Sequence, residues 1–331
     1  MNRRSLLKIA AMTAFTAALP ESSERGEGDL ATSTAEHRGG SNFGWYDLAA
    51  GCRREPYGVI SAYHRAPRRI LDRLRQMHAA GQRRLRIPVF HKHGPDEGTF
   101  IDSTGGRMSD RSVAALAGLL AAVRATGFQE VEIGLFPGKQ NSPKSWSRWE
   151  QGLYLENLGI VEHARAVVRA SGLPYLLDLS NELVPPPGRP MALRCARQLW
   201  QDYTERHGTA DTVGFSCIGD TERFTMLPEI YRDVAPDRLE FHFYGTPAND
   251  EWARFLSAHR TIRAAGHGAR PWVIGEVFSD DAVAAANLAR AVRATGQRVH
   301  ALYQWPLTRR QLCADVETVP VSFAAYAAHG F

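Results

Sequence analysis

The sequence predicts an α/β fold, a (β/α)8 TIM barrel spanning residues 40–331 as a single domain. Three observations carry this expectation. Short apolar runs alternate with amphipathic stretches from residue 40 to the end, the pattern of repeated parallel βα units. Eight such runs in roughly 290 residues match the size of a closed parallel barrel. An open doubly wound sheet would carry a Gly-rich turn after its first strand, but Gly39-Gly40 precedes that strand and no Gly-x-Gly-x-x-Gly follows it.

The elements follow in order. The first strand is expected over Ser41–Tyr46 and the first helix over Pro67–Ala80, which sets Ile70, Leu71, Leu74, Met77 and His78 on one face. Arg83–Phe90 reads as the second strand and Asp110–Thr126 as its helix, with Ser109 or Asp110 as the cap. Glu130–Phe136 is the third strand, followed by a long helix ending near Ala170. The fourth strand, Tyr175–Ser180, leads through Pro185-Pro186-Pro187 to a helix from about Met191 to His207. Thr212–Ser216 is the fifth strand and Arg223–Val234 a helical stretch; Leu239–Tyr244 is the sixth, with a helix over Glu251–Ala265. Trp272–Gly275, a helix over Asp281–Thr295, the strand Val299–Tyr303 and a closing helix over Val321–Ala328 complete the array.

The N-terminus reads as an address. Residues 1–20 have a basic start and an Ala-rich apolar run from Ile9 to Leu19, an export signal too short to span a bilayer permanently. Asn2-Arg3-Arg4-Ser5-Leu6-Leu7-Lys8 resembles a twin-arginine signal. Residues 21–39 are polar and Gly-rich and read as a disordered spacer. A periplasmic or secreted protein is expected, with no stable membrane insertion once the signal is removed.

Composition narrows the class. Of 331 residues, 44% are hydrophobic and 23% charged, ordinary for a chain that buries a sizeable core. The pI near 9.1 invites a nucleic-acid reading. However, three of the five net positive charges are Arg3, Arg4 and Lys8, in an acid-free leader, so no nucleic-acid partner is expected. The four cysteines, Cys52, Cys195, Cys217 and Cys313, are far apart with no C-x-x-C pair. Their spacing disfavours a metal site, and although an oxidising compartment permits a disulfide, the sequence names no pair. No cofactor and no metal are expected, and the chain is expected to be a monomer.

In a parallel barrel the chemistry gathers at the strand C-termini. There the sequence places Asn42 to Trp45, Arg86, Asn181 with Glu182, His242 with Tyr244, Glu276, and Gln304 with Trp305. Glu182 and Glu276 each close a short apolar run. Two carboxylates at strand ends of one barrel are what retaining glycoside hydrolysis requires, a proton donor and a facing nucleophile. Asp178 lies deeper, with the same strand parity as Glu182, and is expected to be a satisfied structural acid.

The ordered series Gly40-Ser41-Asn42-Phe43-Gly44, Arg86-Ile87-Pro88, Asp178-Leu179-Ser180-Asn181-Glu182, His242-Phe243-Tyr244, Ile274-Gly275-Glu276 and Trp305 resembles the barrel clan of retaining glycoside hydrolases. The pattern is most similar to the cellulase-type, family 5 endoglycanases. The resemblance spans the barrel and implies Glu182 as general acid/base and Glu276 as nucleophile. On that reading Arg86 keeps Glu276 ionised, Tyr244 donates to the same carboxylate, and Asn181 holds a sugar 2-hydroxyl. His242 tunes Glu182 or binds a sugar hydroxyl, and Trp305 forms the floor under the ring being cleaved. Trp45 with Tyr46, and Trp146 with Trp149, are candidates for flanking sugar subsites, while Trp200 and Trp272 are assigned to the core.

Two departures separate the chain from the family pattern. The third strand, Gly134-Leu135-Phe136-Pro137-Gly138, lacks the usual His, and Leu183 stands where Pro usually follows the acid. The expected partner is therefore a polysaccharide or oligosaccharide of unassigned sugar and linkage. Transglycosylation, a non-catalytic carbohydrate-binding barrel, and a metal-dependent barrel hydrolase prompted by His91-Lys92-His93 are the alternatives. Outside the metal reading, His91 and His93 are expected to be solvated or to line the cleft.

Overall fold

The computed structural model describes residues 39–331, so the expected export signal and all but the last residue of the expected spacer lie outside the described residues. Parallel strands pair in a ring. The first strand (Gly39–Asn42) pairs with the second (Arg84–Lys92) on one side and the eighth (Val299–Gln304) on the other. The third (Glu130–Pro137), fourth (Tyr175–Asp178), sixth (Leu239–His242) and seventh (Trp272–Val277) follow in order. The fifth strand is split. Thr212–Gly214 pairs with the fourth strand and Cys217–Ile218 with the sixth, so the two outer members of the sheet are consecutive pieces of one strand and close the barrel. A short strand, Ile101–Asp102, adds to the end of the second.

Strand composition explains the two-sided burial. In the second strand Leu85, Ile87 and Val89 face the helical layer and are fully buried, while Arg86, at the alternate position, is buried in the interior. Leu176, Val213, Val273, Ala301 and Tyr303 form a separate apolar cluster.

Helices begin and end where their chemistry dictates. Pro67 opens Pro67–Ala79, which buries Ile70, Leu74 and Met77. Ser109 caps Asp110–Thr126 by accepting from the Ser112 N–H, and Gly127, at φ 102°, ends it in the left-handed region. Gln151–Ala170 and Pro190–His207 follow the third and fourth strands. Asp250 and Asp281 cap Glu251–Ala264 and Ala282–Thr295.

Four expectations are revised. The first strand stops at Asn42, because Trp45 turns away to bridge antiparallel to Gly58. The helical stretch at Arg223–Val234 is two short helices, Thr221–Phe224 and Leu227–Tyr231, the second opened by Pro228, which has no N–H to continue the first. The closing helix shortens to Ala324–Ala327. The fifth strand breaks at Phe215–Ser216 for a reason given below. Cys52 and Cys313 form a disulfide with Cα atoms 5.6 Å apart, joining the loop after the first strand to the segment after the eighth. Cys195 and Cys217 are buried thiols. Among the described residues, no helix is long and apolar enough to cross a membrane.

Candidate active site

Glu182 is placed by an unusual piece of backbone. Its φ of 54° is a left-handed conformation that disfavours a side chain, and three contacts hold it. The Glu182 N–H donates to Ser216 Oγ at 2.7 Å, Ser216 Oγ donates to Asn181 Oδ1 at 3.3 Å, and the Ser216 N–H donates to Asp178 Oδ1 at 3.1 Å. The fifth strand breaks at Ser216 because its backbone there serves Asp178 rather than a neighbouring strand. Asp178 is fully buried and anchors this turn as a structural acid.

Arg86 is the hub beneath the mouth. Its guanidinium donates to Glu132 Oε1 (2.6 Å), Asp178 Oδ2 (2.7 Å), Asn181 Oδ1 (2.8 Å), Asn42 Oδ1 (3.0 Å) and Glu276 Oε1 (3.2 Å), and it lies 3.2 Å from Glu240 Oε1. One cation therefore serves four buried carboxyl groups. Two absent side chains make this possible. A Cβ at Gly275 would stand 1.7 Å from Glu240 Oε1, and one at Gly134 would stand 3.1 Å from Arg86 Nη2.

Glu132 and Glu240 each retain a buried Oε2 with no hydrogen-bond donor from another group. Their carboxyls interact with each other, and burial, then the Glu240 charge, raises Glu132 well above the usual carboxylate range. A proton held on Glu132 supplies the missing donor between them.

His242 stands between the two acids. Its Nδ1 lies 3.1 Å from Glu182 Oε1 and 3.6 Å from Glu276 Oε1, and its Nε2 lies 3.3 Å from Glu240 Oε1. Burial opposes a charge on His242, but Glu276, Glu182 and Glu240 outweigh it and raise the imidazole to about 10. Burial likewise opposes ionisation of Glu182; the hydrogen bonds and charges of His242 and Lys144 outweigh it and hold that carboxyl down. Lys144 Nζ lies 3.4 Å from Glu182 Oε2. For Glu276 burial wins. Its pKa is raised, although His242, Arg86 and the Tyr244 hydroxyl, donating to Oε2 at 2.9 Å, pull it back. Arg86 thus reduces, without reversing, the tendency of Glu276 to hold a proton.

One oxygen from each of Glu182 and Glu276 and one His242 nitrogen lie within 4.8 Å of one another, a spacing a divalent cation could span. Two positive groups already address that space: the Arg86 guanidinium on Glu276 Oε1 and the His242 imidazolium. Their charge opposes a cation there.

The structure gathers Glu182, Glu276, Arg86, Asn181, His242 and Tyr244 into one network. Trp305 is half-buried beside them, stacked on Phe136 (6.0 Å, 22°) and edge-on to Trp45 (5.6 Å, 86°). Trp45 is mostly buried and its Nε1 donates to Thr99 Oγ1 at 2.9 Å. Phe90, Phe100, Phe136, Lys144, Asn181 and Leu183 line a cavity of about 200 Å³ at the mouth. Larger cavities of about 630 and 800 Å³ lie against the outer helices, away from the strand ends.

Several expected roles are corrected. Tyr46 is buried in the core against Tyr57, so it offers no sugar platform. Trp146 and Trp149 pack edge-to-face at 5.8 Å against the core, and Arg194 covers Trp149 at 4.2 Å; they anchor their loop. His91 is buried rather than solvated, with Nδ1 3.1 Å from Ser103 Oγ, and burial lowers its pKa to about 3. His93, by contrast, is exposed as expected, and pairs with Glu156 at 2.7 Å. Trp200 and Trp272 are core, as expected.

Glu132, Glu240, Ser216 and Lys144 escaped the sequence reading. Glu132 and Glu240 carried a usable signal, a charged residue flanked by apolar ones inside a buried strand, Val131-Glu132-Ile133 and Leu239-Glu240-Phe241. Lys144 sits in a loop and carried none.

Fold and mouth together define a (β/α)8 barrel with two carboxylates facing each other at the C-terminal end of its strands. No family model and no curated protein sequence matches the chain. Solved structures do match. The GH5_18 protein from Streptomyces cattleya, solved with GlcNAc, aligns with a TM-score of 0.57 at 17% identity, over 90% of this chain and 80% of that one. The Glycoside Hydrolase 5 lichenase from Caldicellulosiruptor sp. F32, solved with cellotetraose, aligns at 0.53 and 14% identity, over 95% and 99%. The exo-beta-1,4-mannosidase Op5Man5 from Opitutaceae bacterium strain TAV5 aligns at 0.52 and 15% identity, over 81% of this chain and 51% of that one. This chain has the barrel fold of these glycoside hydrolases.

Proposed function

We propose that the protein is a retaining glycoside hydrolase acting on β-glycosidic bonds of a polysaccharide or oligosaccharide, with Glu276 as nucleophile and Glu182 as acid/base. The observation that carries the proposal is the pair itself. Oxygens of Glu182 and Glu276 lie within 4.8 Å across the mouth. Retention uses carboxyls about 5–5.5 Å apart, whereas inversion needs about 6.5–9.5 Å to admit a water. Structural neighbours named lichenase and exo-beta-1,4-mannosidase support a β-linked substrate.

In the first step a Glu276 oxygen bonds to the anomeric carbon, the glycosidic C–O bond breaks, and the leaving oxygen takes a proton from Glu182. In the second, water attacks the same carbon, gives a proton to Glu182, and the glycosyl–Glu276 ester bond breaks. Before substrate binds, the proton rests on the His242 side of the 3.1 Å contact to Glu182. Its transfer across that hydrogen bond arms the acid. Arg86 and Tyr244 steady the charge that Glu276 carries before attack and regains on leaving. Asn181, fixed by Arg86 and Ser216, is placed to hold the sugar 2-hydroxyl, and Trp305 to stack under the ring.

Glu276→Gln and Glu182→Gln are each expected to fold and bind glycan while losing at least about 10³-fold in kcat on it. Near wild-type turnover by either would overturn the assignment. NMR of the first-formed product should show the β anomer, and an α product would exclude retention. We further propose export from the cytoplasm, which the leader sequence and the Cys52–Cys313 disulfide support.

A further inference from the structure

The loop after the first strand carries a cation, placed beside the mouth, that has no acidic partner among the described residues. Arg54 lies two residues beyond Cys52, whose disulfide to Cys313 ties this loop to the segment after the eighth strand. Its guanidinium carbon stands 4.7 Å from the centroid of the Trp45 ring, which meets Trp305 edge-on. One nitrogen, Nη2, donates to the carbonyl of Pro306, the residue after Trp305. Nε is buried with no hydrogen-bond partner. The ionisable group that acts on Arg54 is Tyr244, the residue bonded to Glu276, and among the described residues no carboxylate forms an ion pair with it.

A half-buried guanidinium with an orphaned donor and no counter-ion is costly unless a ligand supplies the anion. Arginine's planar fork suits a carboxylate or sulfate, and its position over Trp45, which meets Trp305, and beside Tyr244 puts it at the edge of the cleft. We infer that Arg54 binds an anionic substituent of the sugar chain, and that the substrate is an acidic β-glycan. This rests on the glycosidase reading above.

The test uses the Glu276→Gln protein, expected to bind without turnover, titrated calorimetrically with β-1,4-linked gluco- and manno-oligosaccharides in three forms: neutral, C6-carboxylated and sulfated. A charged form should bind at least about tenfold more tightly than its neutral parent at low salt, with most of the preference lost at high salt. Adding Arg54→Gln should abolish the preference and leave neutral binding within about twofold, while Arg54→Lys should retain part of it. The carboxylated and sulfated arms identify the anion. Equal affinity for charged and neutral forms, or a preference that survives Arg54→Gln, overturns the inference. So does a loss of neutral and charged binding together, because a merely structural Arg54 would have that effect. Wild-type turnover is read separately: cleavage of neutral and charged glycans at equal rates would sink the charge inference and leave the glycosidase reading standing, whereas tight, Arg54-dependent binding of a charged glycan that is never cleaved would sink the glycosidase reading and leave the charge inference standing.

Discussion

Glu182 and His242 share a proton across 3.1 Å, and Lys144, 3.4 Å from the other Glu182 oxygen, helps decide where it rests. The Lys144 charge favours ionised Glu182, so removing it raises the Glu182 pKa. The Lys144→Met variant should therefore shift the basic limb of kcat/KM, where the Glu182–His242 pair loses its shared proton, to higher pH. A limb that stays in place would show that His242 alone sets the proton's position. The acidic limb reports Glu276, which must be ionised to attack. Because burial raises that carboxyl, activity should fall as pH drops through a value above that of an ordinary glutamate. At this scale the sequence was readable where residue type and strand position coincide, as at Glu182, Glu276 and Arg86. Lys144 and Arg54 were silent because loops carry no periodicity from which a side chain's direction can be inferred.

At the level of elements, the seventh strand needs Gly275 because Glu240 from the sixth occupies the volume of its missing side chain. Gly275→Ala would force the Glu240 carboxylate away from Arg86 and His242, leaving buried charges mispaired. A loss of at least about 3 kcal/mol in unfolding free energy is expected, measured by urea denaturation. An unchanged midpoint would mean that Glu240 relocates freely. Seven strands were legible because their apolar runs are bounded by turns and followed by amphipathic helices. The fifth was only half legible, since its break depends on Ser216 serving Asp178 and Glu182, partners distant in sequence. The first was extended too far because Phe43 and Tyr46 continue its apolar character while Trp45 has turned to meet Gly58. Alternation shows burial, and it is blind to which backbone a strand will pair with.

For the whole molecule, the barrel was legible because repeated βα units of this number and length leave few other closed arrangements. The disulfide was not, because four widely spaced cysteines allow several pairings and only the completed ring brings Cys52 and Cys313 together. Replacing both by Ser should lower stability by about 2–5 kcal/mol, read from thermal or denaturant unfolding under oxidising conditions. An unaltered Tm would show that the ring of strands closes without help. The same bond spans 261 positions and closes the second strand through the eighth into one covalent circle. A protease that cuts once in any loop between the two cysteines leaves a single particle of unchanged mass apart from one added water. On a denaturing gel the nicked protein should run as one band until a reductant separates it into two.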